Sequence, residues 1–176
     1  MKKKKSLVLL LAALSFYFGL PTGAYSQQTS PAIENAFALK TSADRLLRNS
    51  RIVAAIEDYR KAIRLDSTNT ALYFNLAIAY YSNNDMKNSA VALEKLIELD
   101  SHDAEALYNL GCVKLYLGDL EEAGSYFDKA KLCCPANSPF SSLIEEGIGF
   151  TNIVKELSPA KQTLLSPLLR QGVPPL

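Results

Sequence analysis

The sequence has few of the residues from which catalytic and metal sites are built. It contains one histidine, His102, and three cysteines in 176 residues. No cysteine has the C-x-x-C spacing of a zinc or redox site or the C-x-x-C-H spacing of haem attachment. The chain also lacks a G-x-S-x-G motif, an H-E-x-x-H motif, a phosphate loop and a dinucleotide fingerprint. The sequence therefore predicts no catalytic residue, metal ligand or cofactor, and we expect His102 to be solvated on a turn.

Lysine clusters and long apolar runs occur only at the N-terminus. Residues 2–5 are four lysines, residues 7–20 are an apolar run, and AYS at 24–26 supplies small residues after a Pro-x-Gly breaker. This order is typical of a cleavable secretory signal, so we predict a signal peptide at residues 1–26. An uncleaved anchor is the alternative, although the run of 14 residues is shorter than the roughly 20 needed to span a bilayer.

Removal of this segment would leave a mildly acidic chain. The balance would become 15 Lys+Arg against 18 Asp+Glu, which changes the net charge from +1 to −3. Because no basic face remains, the sequence predicts no nucleic-acid partner. No later apolar run is long enough to cross a membrane. We expect an exported protein of about 150 residues, periplasmic or associated with a bacterial envelope, with secretion or anchoring by an uncleaved signal as alternatives.

The feature that dominates the rest of the chain is an internal repeat with a period of 34 residues. We call residues 36–69, 70–103 and 104–137 the first, second and third repeats. Within each repeat, apolar residues are spaced i, i+3, i+4, i+7 over two segments, which predicts two amphipathic helices. Small residues coincide at Ala43, Ala77 and Gly111, at Ala55, Ser89 and Ala123, and at Ala62 and Ala130, with Leu96 as the exception.

Polar breakers divide each repeat into its two helices. They are NSR at 49–51, NND at 83–85 and GD at 118–119. Small residues at facing positions allow two helix axes to approach closely, so each repeat is predicted to be an antiparallel helical hairpin. One hairpin cannot bury its own apolar face, and neighbours must therefore stack. The sequence predicts an all-α solenoid.

The third repeat contains LYNLG at 107–111, LGDLEEA at 117–123, YFDKA at 126–130 and Pro135. With these segments it resembles a near-consensus tetratricopeptide repeat. The second repeat, with YFNLAIAYY at 73–81 and SAVALEKLIELD at 89–100, resembles the family clearly, and the first, with AAIEDYRKAIRLD at 54–66, does so mainly in its second helix. The resemblance implies a right-handed superhelix of antiparallel helical hairpins. Ser67 and Ser101 replace the family's terminating proline, and Lys114 replaces an aromatic residue.

Residues 138–170 are predicted to be a degenerate pair of capping helices, followed by a tail at 171–176. Helical spacing continues after residue 139, where Gly147 and Gly149 are expected to weaken the helix by about 1 kcal/mol each. The second capping helix is predicted to begin at Pro159 with Ser158 as its N-cap. A solenoid needs such a cap because its last hairpin would otherwise expose an apolar face.

The family resemblance implies that the first helix of each repeat lines a concave groove for an extended peptide or a partner helix. Asn75 and Asn109 match asparagines that bind a peptide backbone. Lys40 matches part of a basic clamp for a terminal carboxylate, but Asp44 and Glu105 stand where polar or basic residues would be needed. The predicted protein-binding groove consists of Lys40, Phe74, Asn75, Ile78, Tyr81, Tyr108, Asn109, Cys112 and Tyr116. The alternative is that Phe74, Tyr81 and Tyr108 are covered by the closing helices or by ordinary packing.

The adjacent Cys133 and Cys134 end the third repeat. Their Cα atoms should lie about 3.8 Å apart, below the usual disulfide range of about 4.4 to 6.8 Å, so a bridge between them would be strained. We expect Cys133 to be a buried apolar residue and Cys134 to be partly exposed.

Together these features favour a noncatalytic scaffold that presents a groove to another protein in the bacterial cell envelope. Two alternatives come from other functional classes. One is a membrane-anchored assembly subunit with an uncleaved N-terminus, and the other is a cysteine-based redox or metal-binding protein. The sequence does not specify the oligomeric state.

Overall fold

The computed structural model describes residues 30–135, 137–138 and 140–157. The predicted signal peptide, the second capping helix and the tail lie outside these residues. The described residues form seven α-helices and no strand. The helices are α1 (Pro31–Arg48), α2 (Ile52–Leu65), α3 (Thr70–Ser82), α4 (Met86–Leu99), α5 (Ala104–Leu117), α6 (Leu120–Cys133) and α7 (Ser141–Glu156).

Consecutive helices pack against one another along the whole array. Within the repeats, α1 packs on α2, α3 on α4, and α5 on α6; between them, α2 packs on α3, α4 on α5, and α6 on α7. This arrangement confirms the predicted all-α superhelical solenoid. None of the described helices combines the length and apolar character needed to span a bilayer.

The small residues that coincide at the 34-residue period lie where paired helices cross. Ala43, Ala55 and Ala123 are fully buried. In the second repeat, the Ser89 hydroxyl is buried as well, and it donates a 2.9 Å hydrogen bond to the carbonyl of Ala77. A buried hydroxyl with a partner avoids the cost of an unsatisfied polar group.

Two glycines allow helices to approach the ring of Phe127. A Cβ built on Gly111 would lie 2.6 Å from that ring, which is too close for two carbon atoms, and a Cβ on Gly147 would lie 3.1 Å from it. The expectation that Gly147 merely weakens its helix is therefore incomplete, because this glycine also lets α7 pack onto α6. Gly149 has open space around it, so its cost is that of the backbone alone.

The turn inside each repeat places a left-handed residue at the same repeat position. These residues are Ser50 and Asn84, each with a φ of 58°, and Gly118 with a φ of 91°. The next residue donates its N–H to a carbonyl five residues earlier at 2.9 Å in all three turns. This hydrogen bond closes the helix C-terminus as a Schellman motif.

The buried residues divide into two cores that share α5. The N-terminal core is formed by α1 to α4 and by Ala106, Leu110 and Val113 of α5. The C-terminal core is formed by the other face of α5 with α6, α7 and Phe140. Helix α5 is thus buried on two faces, whereas α1 lies at the open end of the described array.

Candidate protein-binding groove

The first helices of the repeats, α1, α3 and α5, carry the predicted groove residues at equivalent repeat positions. Lys40, Phe74 and Tyr108 share one position, and Asp44, Ile78 and Cys112 share another. Since the spacing is constant, these residues would have similar exposure if every repeat had the same neighbours. The structure shows that their exposure differs from one repeat to the next.

The open part of the groove lies on α3. Phe74, Ile78 and Tyr81 are half-buried and, with Asn109 and Val113 of α5, line a shallow apolar cleft. Helix α3 contains no charged residue. This part of the groove therefore offers aromatic and aliphatic surface that is free of local charge.

Asp44 of α1 organises the polar end of the groove. Its Oδ2 atom lies 2.9 Å from Lys40 Nζ, while its Oδ1 atom accepts hydrogen bonds from Tyr59 Oη at 2.5 Å and from Asn75 Nδ2 at 3.2 Å. Burial alone would raise the pKa of Asp44. The hydrogen bonds from Tyr59 and Lys40 and the positive charges of Lys40 and Arg48 outweigh burial and lower this pKa.

The partners of Asp44 change what the predicted groove residues offer. Lys40 and Asn75 are half-buried in the groove, but their polar atoms already bind Asp44. Lys40 is therefore not a free cation, and one donor of the Asn75 amide is committed within the protein.

The structure corrects the prediction for the third repeat. Tyr108 is 3% exposed and Cys112 is 6% exposed, so neither presents its side chain to a partner. The ring of Tyr108 lies 5.0 Å from that of Phe140 and 5.5 Å from that of Phe127. The segment leading into α7 covers this face, which is the alternative that the sequence had left open.

Asn109 is also less available than predicted. It is 8% exposed, and its Nδ2 atom donates a 2.9 Å hydrogen bond to the carbonyl of Glu105 in its own helix. Its side chain borders the cleft but is satisfied locally. Tyr116 remains half-buried, and its hydroxyl donates to Asn84 Oδ1 at 3.0 Å, which joins the third repeat to the turn of the second.

Family models match the chain over the segments that form these hairpins. Models described as TPR repeat or tetratricopeptide repeat match residues 43–84, 70–103 and 92–125. The chain is a tetratricopeptide-repeat protein.

Curated relatives include an inactive peptidyl-prolyl cis-trans isomerase, shutdown, of Bombyx mori, which is 32% identical over 62% of this chain and 29% of its own length. Serine/threonine-protein phosphatase T of Schizosaccharomyces pombe is 44% identical over 30% of this chain and 11% of its own length. The chain spans less than a third of the length of these relatives.

Solved tetratricopeptide-repeat structures share the fold. The first TPR domain of Spaghetti (RPAP3), bound to the HSP90 peptide SRMEEVD, has a TM-score of 0.64 and 20% identity, covering 71% of this chain and 96% of that chain. The Yersinia enterocolitica type III secretion chaperone SycD, in complex with a peptide of the translocator YopD, has a TM-score of 0.65 and 14% identity, covering 70% and 96%. Both structures contain a bound peptide. At such low identity, the similarity shows only that this chain has the same fold.

Lys114 is a departure from the tetratricopeptide-repeat pattern that sequence reasoning noted without a role. Its Nζ atom lies 3.0 Å from Glu94 and 2.7 Å from Glu122, so it joins α4 and α6 through α5. The hydrogen bond with Glu122 raises the pKa of Lys114. Glu94 and Glu122 could have indicated this role in the sequence, because a half-buried lysine requires carboxylate partners.

The cysteines are free thiols in the described residues, but one prediction about them is wrong. Cys133 is half-buried, like Cys134, because it lies in the last turn of α6, where the helix leaves the core. Burial raises the pKa of Cys112 to about 12, so this thiol is poorly suited to reactivity at neutral pH. No group of three candidate metal ligands occurs within the described residues.

Proposed function

We propose that this protein is a noncatalytic scaffold whose groove binds an extended segment of another protein. The groove is formed by α1, by the half-buried face of α3 and by the adjoining edge of α5. The observation that carries the proposal is the half-buried, uncharged surface of Phe74, Ile78 and Tyr81. The peptide complexes formed by proteins of the same fold support it.

The proposal is tested by comparing two apolar truncations. Affinity capture with the purified wild-type protein supplies a partner, and a titration then measures its affinity for each variant. Phe74→Ala should weaken binding by about 2 kcal/mol, as expected for an aromatic anchor. Val91→Ala removes a side chain that is 60% exposed on α4 and should leave the affinity unchanged. Equal affinities for both variants would place the partner elsewhere.

We further propose that the protein acts after export to a bacterial envelope, with residues 1–26 removed. The basic, apolar and small-residue order of this segment supports export. The intact mass of protein isolated from the exported fraction should correspond to a chain that begins at Gln27. A membrane-bound species that retains residues 2–5 and resists carbonate washing would instead support the anchored assembly subunit.

A further inference from the structure

The charges around the groove are arranged in a way that disfavours an anionic ligand. The Lys40–Asp44 pair, with side chains 26% and 25% exposed, has a separation of 2.9 Å. A ligand carboxylate could approach Lys40 only next to Asp44, whose negative charge opposes it and already offsets the charge of the ammonium group. Lys40 therefore offers a ligand anion less net attraction than an unpaired lysine would.

The middle of the groove adds no positive charge. Helix α3 has no lysine, arginine or histidine, and its groove face consists of the half-buried side chains of Phe74, Ile78 and Tyr81. A charged group of a ligand placed here would lose hydration without gaining a charged partner. An apolar side chain would gain from burial on the same surface.

The far edge of the groove is acidic. Glu105 lies in the first turn of α5, one turn before Asn109, which borders the cleft. Glu105 is exposed and has no ion-pair partner among the described residues. Asp103, the N-cap of α5, uses Oδ1 to accept the N–H of Ala106 at 2.9 Å. The carboxylate of Glu105 is therefore available to a cation.

We propose, on the basis of the function proposed above, that the groove binds an extended apolar segment that carries a lysine or arginine beside Glu105. The same arrangement discriminates against acidic segments that end in a free carboxylate. Charge complementarity sets the preference: Lys40 is paired with Asp44 within the protein, whereas Glu105 at the edge of the groove has no ion-pair partner among the described residues. The acidic peptide SRMEEVD, held by a protein of the same fold that is 20% identical, is thus a poor ligand here.

The test begins with a selection of heptapeptides from a random library on the purified protein. The library is displayed in two formats, one with a free C-terminus and one with the C-terminus joined to the carrier. We expect apolar peptides with at least one lysine or arginine to be enriched in both formats. Phe74→Ala should abolish the enrichment, while Val91→Ala should preserve it.

Affinities for two synthetic probes then test the role of charge. The probes are the most enriched peptide and SRMEEVD with a free C-terminus. The wild-type protein should bind the enriched peptide at least tenfold more tightly than SRMEEVD. Glu105→Lys should weaken binding of the enriched peptide about tenfold, as the inversion of one nearby charge predicts. Glu57→Lys inverts an exposed acid on α2 and should change neither affinity by more than about twofold.

The outcomes separate the ligand class from the function itself. Enrichment of acidic peptides, or enrichment that requires a free C-terminus, would overturn the proposed ligand class but would support a peptide-binding groove if Phe74→Ala abolished it. Enrichment that survives Phe74→Ala, or no enrichment at all, would overturn the peptide-binding function. Circular dichroism and thermal unfolding of each variant exclude loss of fold as the cause.

Discussion

Phe74 of the second repeat and Tyr108 of the third occupy the same repeat position but have different environments. Phe74 is half-buried beside an open cleft, whereas Tyr108 is 3% exposed and packs against Phe127 and Phe140. The cause is the next element in the chain, since Phe140 and α7 cover the third repeat. A repeat position therefore fixes the direction of a side chain, and the neighbouring repeat decides whether that side chain binds a partner or stabilises the core.

The largest expected difference between the two regions is in the free energy of unfolding. Tyr108→Ala should cost about 3 to 5 kcal/mol, because it leaves a cavity beside the rings of Phe127 and Phe140. Phe74→Ala should cost less, about 1 to 2 kcal/mol, since part of the Phe74 side chain is already exposed. Denaturant unfolding of both variants measures this difference. Similar costs would mean that the two faces are buried to the same extent.

Glycine substitutions test how closely helices approach within the C-terminal core. Gly111→Ala should destabilise the protein by about 1 to 3 kcal/mol, because its Cβ would overlap the fully buried ring of Phe127. Gly149→Ala serves as the matched control on α7, where a Cβ meets open space, and should stabilise the protein by about 1 kcal/mol. Thermal unfolding would contradict the described packing if the two substitutions changed stability in the same direction.

The contribution of Asp44, at the polar end of the groove, to the stability of the protein should depend on pH. Asp44→Asn should cost about 1 to 2 kcal/mol at neutral pH, the scale of hydrogen bonds to a charged acceptor. The pKa of Asp44 is lowered in the folded protein, so its contribution is present above the unfolded pKa of about 3.9 and is lost as the pH falls through the folded value.

The stability difference between the wild type and Asp44→Asn should accordingly be constant from about pH 5 to 8 and shrink below about pH 4. Urea unfolding at several pH values provides the measurement. Asp58→Asn is a suitable control, because Asp58 accepts from Ser42 and Lys61 but lies outside the groove. A difference that grows on acidification would show that Asp44 is protonated in the folded protein.

The smallest effects are expected at the turns, where all three repeats have a residue with a positive φ. Ser50→Gly should stabilise the first repeat by about 1 kcal/mol or less, since serine pays for a left-handed conformation that glycine adopts freely. Gly118→Ala should cost the third repeat about 1 kcal/mol for the same reason, because a Cβ there meets no other atom. Thermal unfolding of both variants measures the two changes in stability. A change of the same sign at both sites would contradict this explanation of the turns.

The sequence was sufficient to predict the hairpins, because their determinants are local and periodic. The small residues at 43, 77 and 111 and the polar breakers repeat at a period that only stacked hairpins satisfy. The groove was predicted less well, because exposure depends on contacts between distant elements. The covering of Tyr108 and Cys112 by Phe140 and α7 follows from the end of the array and has no signature within the repeat itself.

The hydrogen bond from Asn75 to Asp44 likewise joins two repeats through side chains. A pattern within one repeat could place both residues on the groove face, but it could not show that they bind each other. Asp44 lies four residues after Lys40, so their ion pair could have been predicted from helical spacing alone. The role of Tyr59 could not, because it comes from the second helix of the hairpin.

Thiol accessibility tests most directly whether the groove is open in the second repeat and closed in the third. Cys112 and Ile78 occupy equivalent positions, so Ile78→Cys places a thiol in the open cleft and leaves the native thiol as its counterpart. Alkylation of the folded protein, quantified by mass spectrometry, should modify the introduced thiol and Cys134 at least tenfold faster than Cys112, whose burial raises its pKa to about 12. Modification of Cys112 as fast as that of the introduced thiol would contradict the account, because the third repeat would then be as open as the second.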